Sequence, residues 1–203
     1  DDCQVEVGHK GAGTEAVNAV AWECEGKICR DGNERRAEFE EGKLLEEKKG
    51  KAPAERSGTL VTFTPDPKIF GDYAWNEEFI AHRLNFYAHL NSGLNLIYNG
   101  KKFRSTNGLA DLLRDEIGEG GSLYDIVHCK NKRLEFAFTH THTYGENYFA
   151  FVNGQYTTDG GTHQSAFREG VLKGMNEFAK KNFAGEDVRE GILGTVAIGR
   201  AHV

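Results

Sequence analysis

Apolar residues recur at helical spacing in several stretches of the chain. Thr14–Cys24 carries them at 16, 17, 20 and 21, which predicts a short helix. Trp75–Leu90 carries them at 75, 79, 80, 84, 86, 87, 88 and 90, with a boundary near Phe70–Tyr73. The longest pattern, His163–Phe183, is opened by Thr162 and aligns Phe167, Val171, Leu172, Met175, Phe178 and Ala179 in one stripe. Asn107 can cap a helix through Ile117 that Gly118–Ser122 ends, and Glu186 or Asp187 starts a short one closed by Gly191–Gly194.

Strand patterns fill the intervals. Lys27–Cys29 and Ala37–Phe39 flank Asp31-Gly32, a hairpin signal. Leu60–Phe63 is stopped by Pro65 and Pro67. Leu94–Tyr98 and Lys101–Arg104 join through Asn99-Gly100, which predicts a type I′ turn. Arg133–Thr143 and Asn147–Asn153 are joined by Tyr144-Gly145-Glu146. The first is apolar at 134, 136 and 138, so one face is expected to be buried. Thr195–Ile198 is a last strand. Glu40–Ser57 is charged and poor in large apolar residues, and reads as an exposed loop. The pattern divides into residues 1–70, part of an α/β layer, and residues 71–203, hairpins with a long helix. The fold class is α+β.

With 203 residues the chain can bury a sizeable core. A net charge of −6 with 28% charged residues argues against a surface wholly devoted to nucleic acid but permits a local basic patch. Cys3, Cys24, Cys29 and Cys129 form no C-x-x-C pair and read as reduced thiols of a cytoplasmic protein. No apolar run reaches the roughly 18 residues that cross a bilayer, and Asp1-Asp2 stands where a signal peptide would be basic. The chain reads as an excerpt of something longer.

Gly8-x-x-Gly11-x-Gly13 feeds a helix start, where close backbone approach and free N–H groups suit an anion. It is neither a dinucleotide fingerprint nor a P-loop. His140 and His142 lie two apart on a strand, without the further ligands a metal centre needs. His163 belongs to the Gly-Gly-Thr-His turn that starts the long helix. No serine sits in a Gly-x-Ser-x-Gly setting.

Several segments together resemble the B subunit of type IIA DNA topoisomerases, the family of gyrase B and topoisomerase IV B, and topoisomerase IV more than gyrase. They are Gly11-Ala-Gly-Thr-Glu-Ala-Val-Asn-Ala19, Gly58-Thr59 with Val61-x-Phe63-x-Pro65-Asp66, Leu84-x-x-Tyr87-Ala-x-Leu90-Asn-x-Gly93, and Val152-Asn-Gly-Gln-x-Thr-Thr-x-Gly160-Gly-Thr-His-Gln164. The resemblance implies the C-terminal part of a GHKL ATPase sandwich followed by a transducer domain with the fold of ribosomal protein S5. It implies that Gly8, Lys10, Gly11, Ala12, Gly13 and Thr14 close on ATP phosphates, with Thr59 supporting the adenine end. Lys10 stands where the family has His or Asn, and Val5-Glu-Val7 replaces the usual Ser-Gly lead-in.

The resemblance further implies ATP and Mg2+, and as partners a topoisomerase A subunit, DNA and a second copy of the B protein, with no membrane. Lys101, Lys102, Arg104, Lys130, Lys132 and Arg133 are the candidate DNA contacts. The family's general base, magnesium-holding Asn and adenine-reading Asp precede the matched stretch, and its Gln-Thr-Lys loop follows it. No catalytic residue or metal ligand is therefore assigned here, and the isolated chain is expected to be inactive. Ile198–Val203 departs from the family pattern. Two alternatives stay open: a truncated, non-catalytic binding module of the same fold, and a metal-binding α+β protein using His140 and His142.

Overall fold

A computed structural model describes residues 12–199, which fall in two compact units divided between Trp75 and Asn76. The first opens with α1 (Ala12–Ala19), followed by β1 (Ala21–Arg30), β2 (Asn33–Glu40), β3 (Lys43–Lys51) and β4 (Gly58–Pro65). These strands form one antiparallel sheet in the order β3-β2-β1-β4, and α2 (Pro67–Phe70) follows. The first helix ends at Ala19, before the expected Cys24. The residues beyond it pair instead with two strands, Cys24 standing opposite both Phe39 and Phe63. Pairing on both sides outweighs a weak local preference for helix.

The β1–β2 hairpin turns through Asp31 (φ 51) and Gly32 (φ 70), the two positive φ values of a type I′ turn. Glu41 (φ 47) and Gly42 (φ 77) repeat the device. Glu40–Ser57 is therefore no loop, because Lys43–Lys51 forms the edge strand β3. Its charges are those of an edge strand kept from pairing with other chains. The register sorts this sheet into two unlike faces. Glu25, Lys27, Glu34, Arg36, Glu46 and Lys48 share one face, joined by the pairs Lys27–Glu34 (2.9 Å), Arg36–Glu25 (2.7 Å) and Lys48–Glu46 (2.7 Å). Cys24, Ile28, Phe39, Leu44, Val61 and Phe63 share the other.

The second unit begins with α3 (Glu77–Leu90), whose cap Asn76 accepts the Phe79 N–H at 2.9 Å. Next come β5 (Leu96–Tyr98) and β6 (Lys101–Phe103), joined through Asn99 (φ 47) and Gly100 (φ 79) as the Asn-Gly signal predicts. Then follow α4 (Leu109–Ile117), β7 (Val127–Lys130), β8 (Leu134–His140), β9 (Asn147–Val152), β10 (Gln155–Tyr156), α5 (Thr162–Ala179), α6 (Gly185–Arg189) and β11 (Ile192–Ile198). Five strands form a sheet in the order β10-β9-β11-β8-β7. The last strand inserts between β8 and β9, antiparallel to the first and parallel to the second. The consecutive strands β8 and β9 thus do not pair, and α5 with α6 supplies the crossover that a parallel pair needs.

Helices cover both faces of this sheet. Phe86 of α3 and Leu109, Leu112 and Leu113 of α4 pack with Ala137, Phe151 and Leu193 on one side. Val171 of α5 and Val188 of α6 pack with Ile192 on the other, joined by Phe138, Tyr148 and Phe167. This corrects the one-sided reading of β8. Leu134, Phe136 and Phe138 are only half-buried, whereas Glu135, Ala137 and Thr139 are fully buried, these smaller side chains leaving room for α4. The stripe of α5 is also shorter than expected: Val171 is buried, but Phe178 is 89% exposed.

Thr195 of β11 is wholly buried and its hydroxyl has no hydrogen-bond partner. An unpaired buried hydroxyl costs roughly 1–3 kcal/mol. Thr195→Val, which keeps the shape, is expected to raise stability by about 1 kcal/mol. Urea denaturation followed by circular dichroism measures this, and a lower midpoint would contradict it.

Candidate functional site

The nucleotide-site residues fall at the edge of the description. Gly8, Lys10 and Gly11 lie outside the described residues. Ala12, Gly13 and Thr14 open α1, with Gly13 and Thr14 exposed. Thr59 lies on β4 opposite Ile28, which puts it on the apolar face of the first sheet beside Val61. Its side of the sheet carries Cys24, Gly26 and Ile28 on β1 and Val61 and Phe63 on β4, with Arg30 at the end of β1, an environment suited to a flat apolar group with one polar contact.

The six candidate cations are divided between two hairpins. Lys101 and Lys102 lie on β6 and Arg104 just after it, all exposed, with the Lys101 ammonium 5.2 Å from the Phe103 ring centre. Lys132 and Arg133 are exposed in the β7–β8 turn, where Asn131 accepts the Arg133 N–H at 2.8 Å. Lys130 differs from the others because its ammonium is 2.7 Å from Glu135. An internal carboxylate already offsets its charge.

Two carboxylates without a sequence signature organise the second unit. Glu135, 8% exposed, accepts the Leu109 N–H at 3.1 Å and faces His128 Nε2 at 3.0 Å. It caps α4 from a neighbouring strand, the role expected of Asn107. The cap position is instead Gly108, where any Cβ would stand 2.5 Å from Glu135. Asn107 turns to Asp111, whose carboxylate also accepts from Ser105 and the Thr106 N–H. Burial would raise the Asp111 pKa, but the hydrogen bonds from Asn107, Ser105 and Thr106 prevail and hold it well below the usual carboxylate range.

Glu146, just before β9, accepts from Arg168 Nε (2.8 Å), a second Arg168 nitrogen (2.7 Å), the Tyr148 hydroxyl (2.7 Å) and Arg189 Nε (3.1 Å). Burial opposes its ionisation, yet these donors prevail and hold its pKa at about 2. Tyr148 is pushed above its ordinary value by burial, then by the Glu146 charge. One carboxylate thereby ties β9, α5 and α6 together. Its arginines lie 22 and 43 positions away in the chain, so no local motif announces them.

The DNA gyrase B family model matches residues 97–200. The topoisomerase 4 B protein of Borreliella burgdorferi is 48% identical over 198 residues, 98% of this chain and 33% of that protein. The chain belongs to the DNA gyrase B family. A second relative in the family, the DNA gyrase B protein of Thermotoga maritima, is 31% identical over 98% of this chain and 35% of its own length. Among solved structures, the 43K ATPase domain of Thermus thermophilus gyrase B, in complex with an aminocoumarin, superposes with a TM-score of 0.80 and 30% identity. That match covers 96% of this chain and 59% of the Thermus chain. The chain spans about a third of the length of these curated relatives.

Two of the histidines singled out by the sequence make internal contacts. His140 Nε2 donates to the Val188 carbonyl at 2.8 Å and its Nδ1 faces the Tyr124 hydroxyl, so both ring nitrogens are engaged. His163 stands 3.4 Å from the Thr157 hydroxyl near the start of α5. Among the described residues no three His, Cys, Asp or Glu side chains converge on a metal position. Cys24 and Cys29 are buried free thiols, and Cys129 is an exposed one. No described helix is long and apolar enough to cross a membrane.

Proposed function

We propose that this chain forms part of the ATPase and transducer region in the B protein of an ATP-dependent type II DNA topoisomerase. The observation that carries this reading is the 48% identity with a topoisomerase 4 B protein along 98% of the chain. Residues 1–70 are the C-terminal part of a GHKL ATPase domain, and residues 71–203 are the transducer. The glycine-rich turn of Gly8, Lys10, Gly11, Ala12, Gly13 and Thr14 holds ATP phosphates through backbone N–H groups at the start of α1. Thr59 supports the adenine end from the apolar face of β4. Lys101, Lys102, Arg104, Lys132 and Arg133 meet DNA phosphates, while Lys130 must first leave Glu135 to do so.

In the parent protein, nucleotide state passes from the ATPase part to the transducer and on to the DNA-cleaving A protein, with two B proteins pairing in the cytoplasm. The three-layer packing of the second unit supports this relay, because helices fixed on both sheet faces move as one body. The resemblance puts the magnesium-holding Asn before the matched stretch. Magnesium belongs to residues of the parent outside this stretch, and no catalytic step is assigned to this chain.

Hydrolysis of ATP needs a positioned water, a base and a metal. The purified chain is therefore expected to bind a fluorescent ATP analogue weakly and to release no phosphate. Thr59→Val is expected to weaken that binding several-fold. A magnesium-dependent turnover from the pure chain would contradict the first expectation. Absence of analogue binding at millimolar concentration would remove the nucleotide reading.

A further inference from the structure

We propose, on the reading that the β7–β8 turn meets DNA, that Glu135 is an internal competitor of DNA phosphate for Lys130, so that the turn grips DNA in a held and a released form. Lys130 and Glu135 stand directly opposite each other in the β7–β8 ladder, with the Lys130 ammonium 2.7 Å from Glu135 Oε2. The other oxygen, Oε1, accepts the Leu109 N–H at 3.1 Å and faces His128 Nε2 at 3.0 Å. One oxygen is thus tied to α4 and His128, and the other serves Lys130. The carboxylate cannot follow the ammonium outward. Its side chain is 10% exposed, and it lies so close to Gly108 that a Cβ there would stand 2.5 Å from Oε1. The Lys130 side chain is 51% exposed and sits on a flexible four-carbon stem, so the lysine is the partner that moves.

Lys132 and Arg133 are exposed in a turn that Asn131 fixes, its side-chain oxygen accepting the Arg133 N–H at 2.8 Å and the Leu134 N–H at 2.9 Å. Elsewhere, Lys48 and Lys49 pair with Glu46 and Glu47, which are themselves exposed, and water and salt screen such pairs. Glu135 is buried, so its hold on Lys130 is screened less. A phosphate that takes Lys130 leaves Oε2 without its cation, and that loss offsets much of the new contact. Lys132 and Arg133 therefore make the held grip, and Lys130 joins them only in the released one.

The test is the fluorescence anisotropy of a labelled duplex of about 20 base pairs titrated with the full chain, between about 50 and 200 mM KCl. Glu135→Gln keeps an oxygen for Leu109 and turns an amide N–H towards Lys130, which releases the lysine. It is expected to tighten binding several-fold and to steepen the dependence of log K on log salt by about 0.9, the share of one phosphate contact. In a Lys130→Gln chain the same change is expected to move affinity by less than about twofold, since the two residues act as a pair. Lys130→Gln alone is expected to weaken binding less than Lys132→Gln, which keeps the test open if circular dichroism shows Glu135→Gln to be unfolded. A gain that persists without Lys130, no gain from a folded Glu135→Gln, or equal losses from Lys130→Gln and Lys132→Gln would each overturn the proposal. Binding that falls with Lys132→Gln and Arg133→Gln but ignores Glu135→Gln overturns it while the DNA reading stands. No salt-dependent binding by any of these chains removes both.

Discussion

Glu146→Ala is expected to lower the stability of the second unit by about 2–3 kcal/mol, once partial exposure is allowed for. The carboxylate accepts from two arginines and a tyrosine, and Arg189 is only 14% exposed. Removing it leaves these donors facing one another. Both tryptophans, Trp22 and Trp75, lie in the first unit. Urea denaturation should therefore shift the circular dichroism midpoint while tryptophan emission stays unchanged. Equal midpoints for variant and wild type would mean that water replaces the carboxylate without loss.

The same variant has a pH signature. The Glu146 pKa is lowered on folding from 4.5 to about 2. A depressed carboxylate stabilises the fold above the unfolded-state value and loses that contribution as protons bind. The gap between wild type and Glu146→Ala should be full above about pH 5 and shrink as pH falls toward about 2. A gap independent of pH over that window would assign the effect to packing alone.

Gly194→Val is expected to cost about 3 kcal/mol by forcing α5 away from the sheet. A Cβ at this position would stand 2.9 Å from a Phe167 ring carbon and 3.0 Å from Tyr148. Phe167 sits among Phe136, Phe138 and Tyr148, so its ring has little freedom to withdraw. Phe167→Ala in the same chain should recover part of the loss, since the two residues share one contact. No recovery would mean that the strand, not the helix, carries the strain.

What could be read beforehand followed from local chemistry. Asp31-Gly32 and Asn99-Gly100 fixed two hairpins because positive φ at both positions is a property of the dipeptide itself. The core of α5 was legible because Phe167 and Val171 recur at helical spacing. Other features depend on partners distant in the chain. Lys43–Lys51 reads as a loop because its hydrogen-bond ladder lies with β2, a partner that its own charged sequence does not announce. Cys24 cannot announce that it will face Phe39 and Phe63 rather than continue a helix. Phe178 matches the α5 stripe by spacing, but periodicity does not report where the packed layer stops.

The nucleotide and DNA residues were legible only through family resemblance. Glycines at a helix start and lysines at hairpin turns are common, and neither pattern selects a ligand. Glu135 was legible least of all. It is a charge at an inward position, and its purpose becomes visible only once Leu109, 26 positions earlier, is brought above it.

The insertion of β11 between β8 and β9 has a consequence for synthesis. During translation the strand that occupies the middle of the second sheet is the last of that sheet to leave the ribosome. Until Ile192–Ile198 emerges, β8 and β9 have no common neighbour, and α4 and α5 have no complete floor. A nascent chain held with Ile192–Ile198 still inside the ribosome exposes both helices' apolar sides at once and becomes a substrate for chaperones, whereas one extended far enough for Ile198 to clear the ribosome closes the sheet.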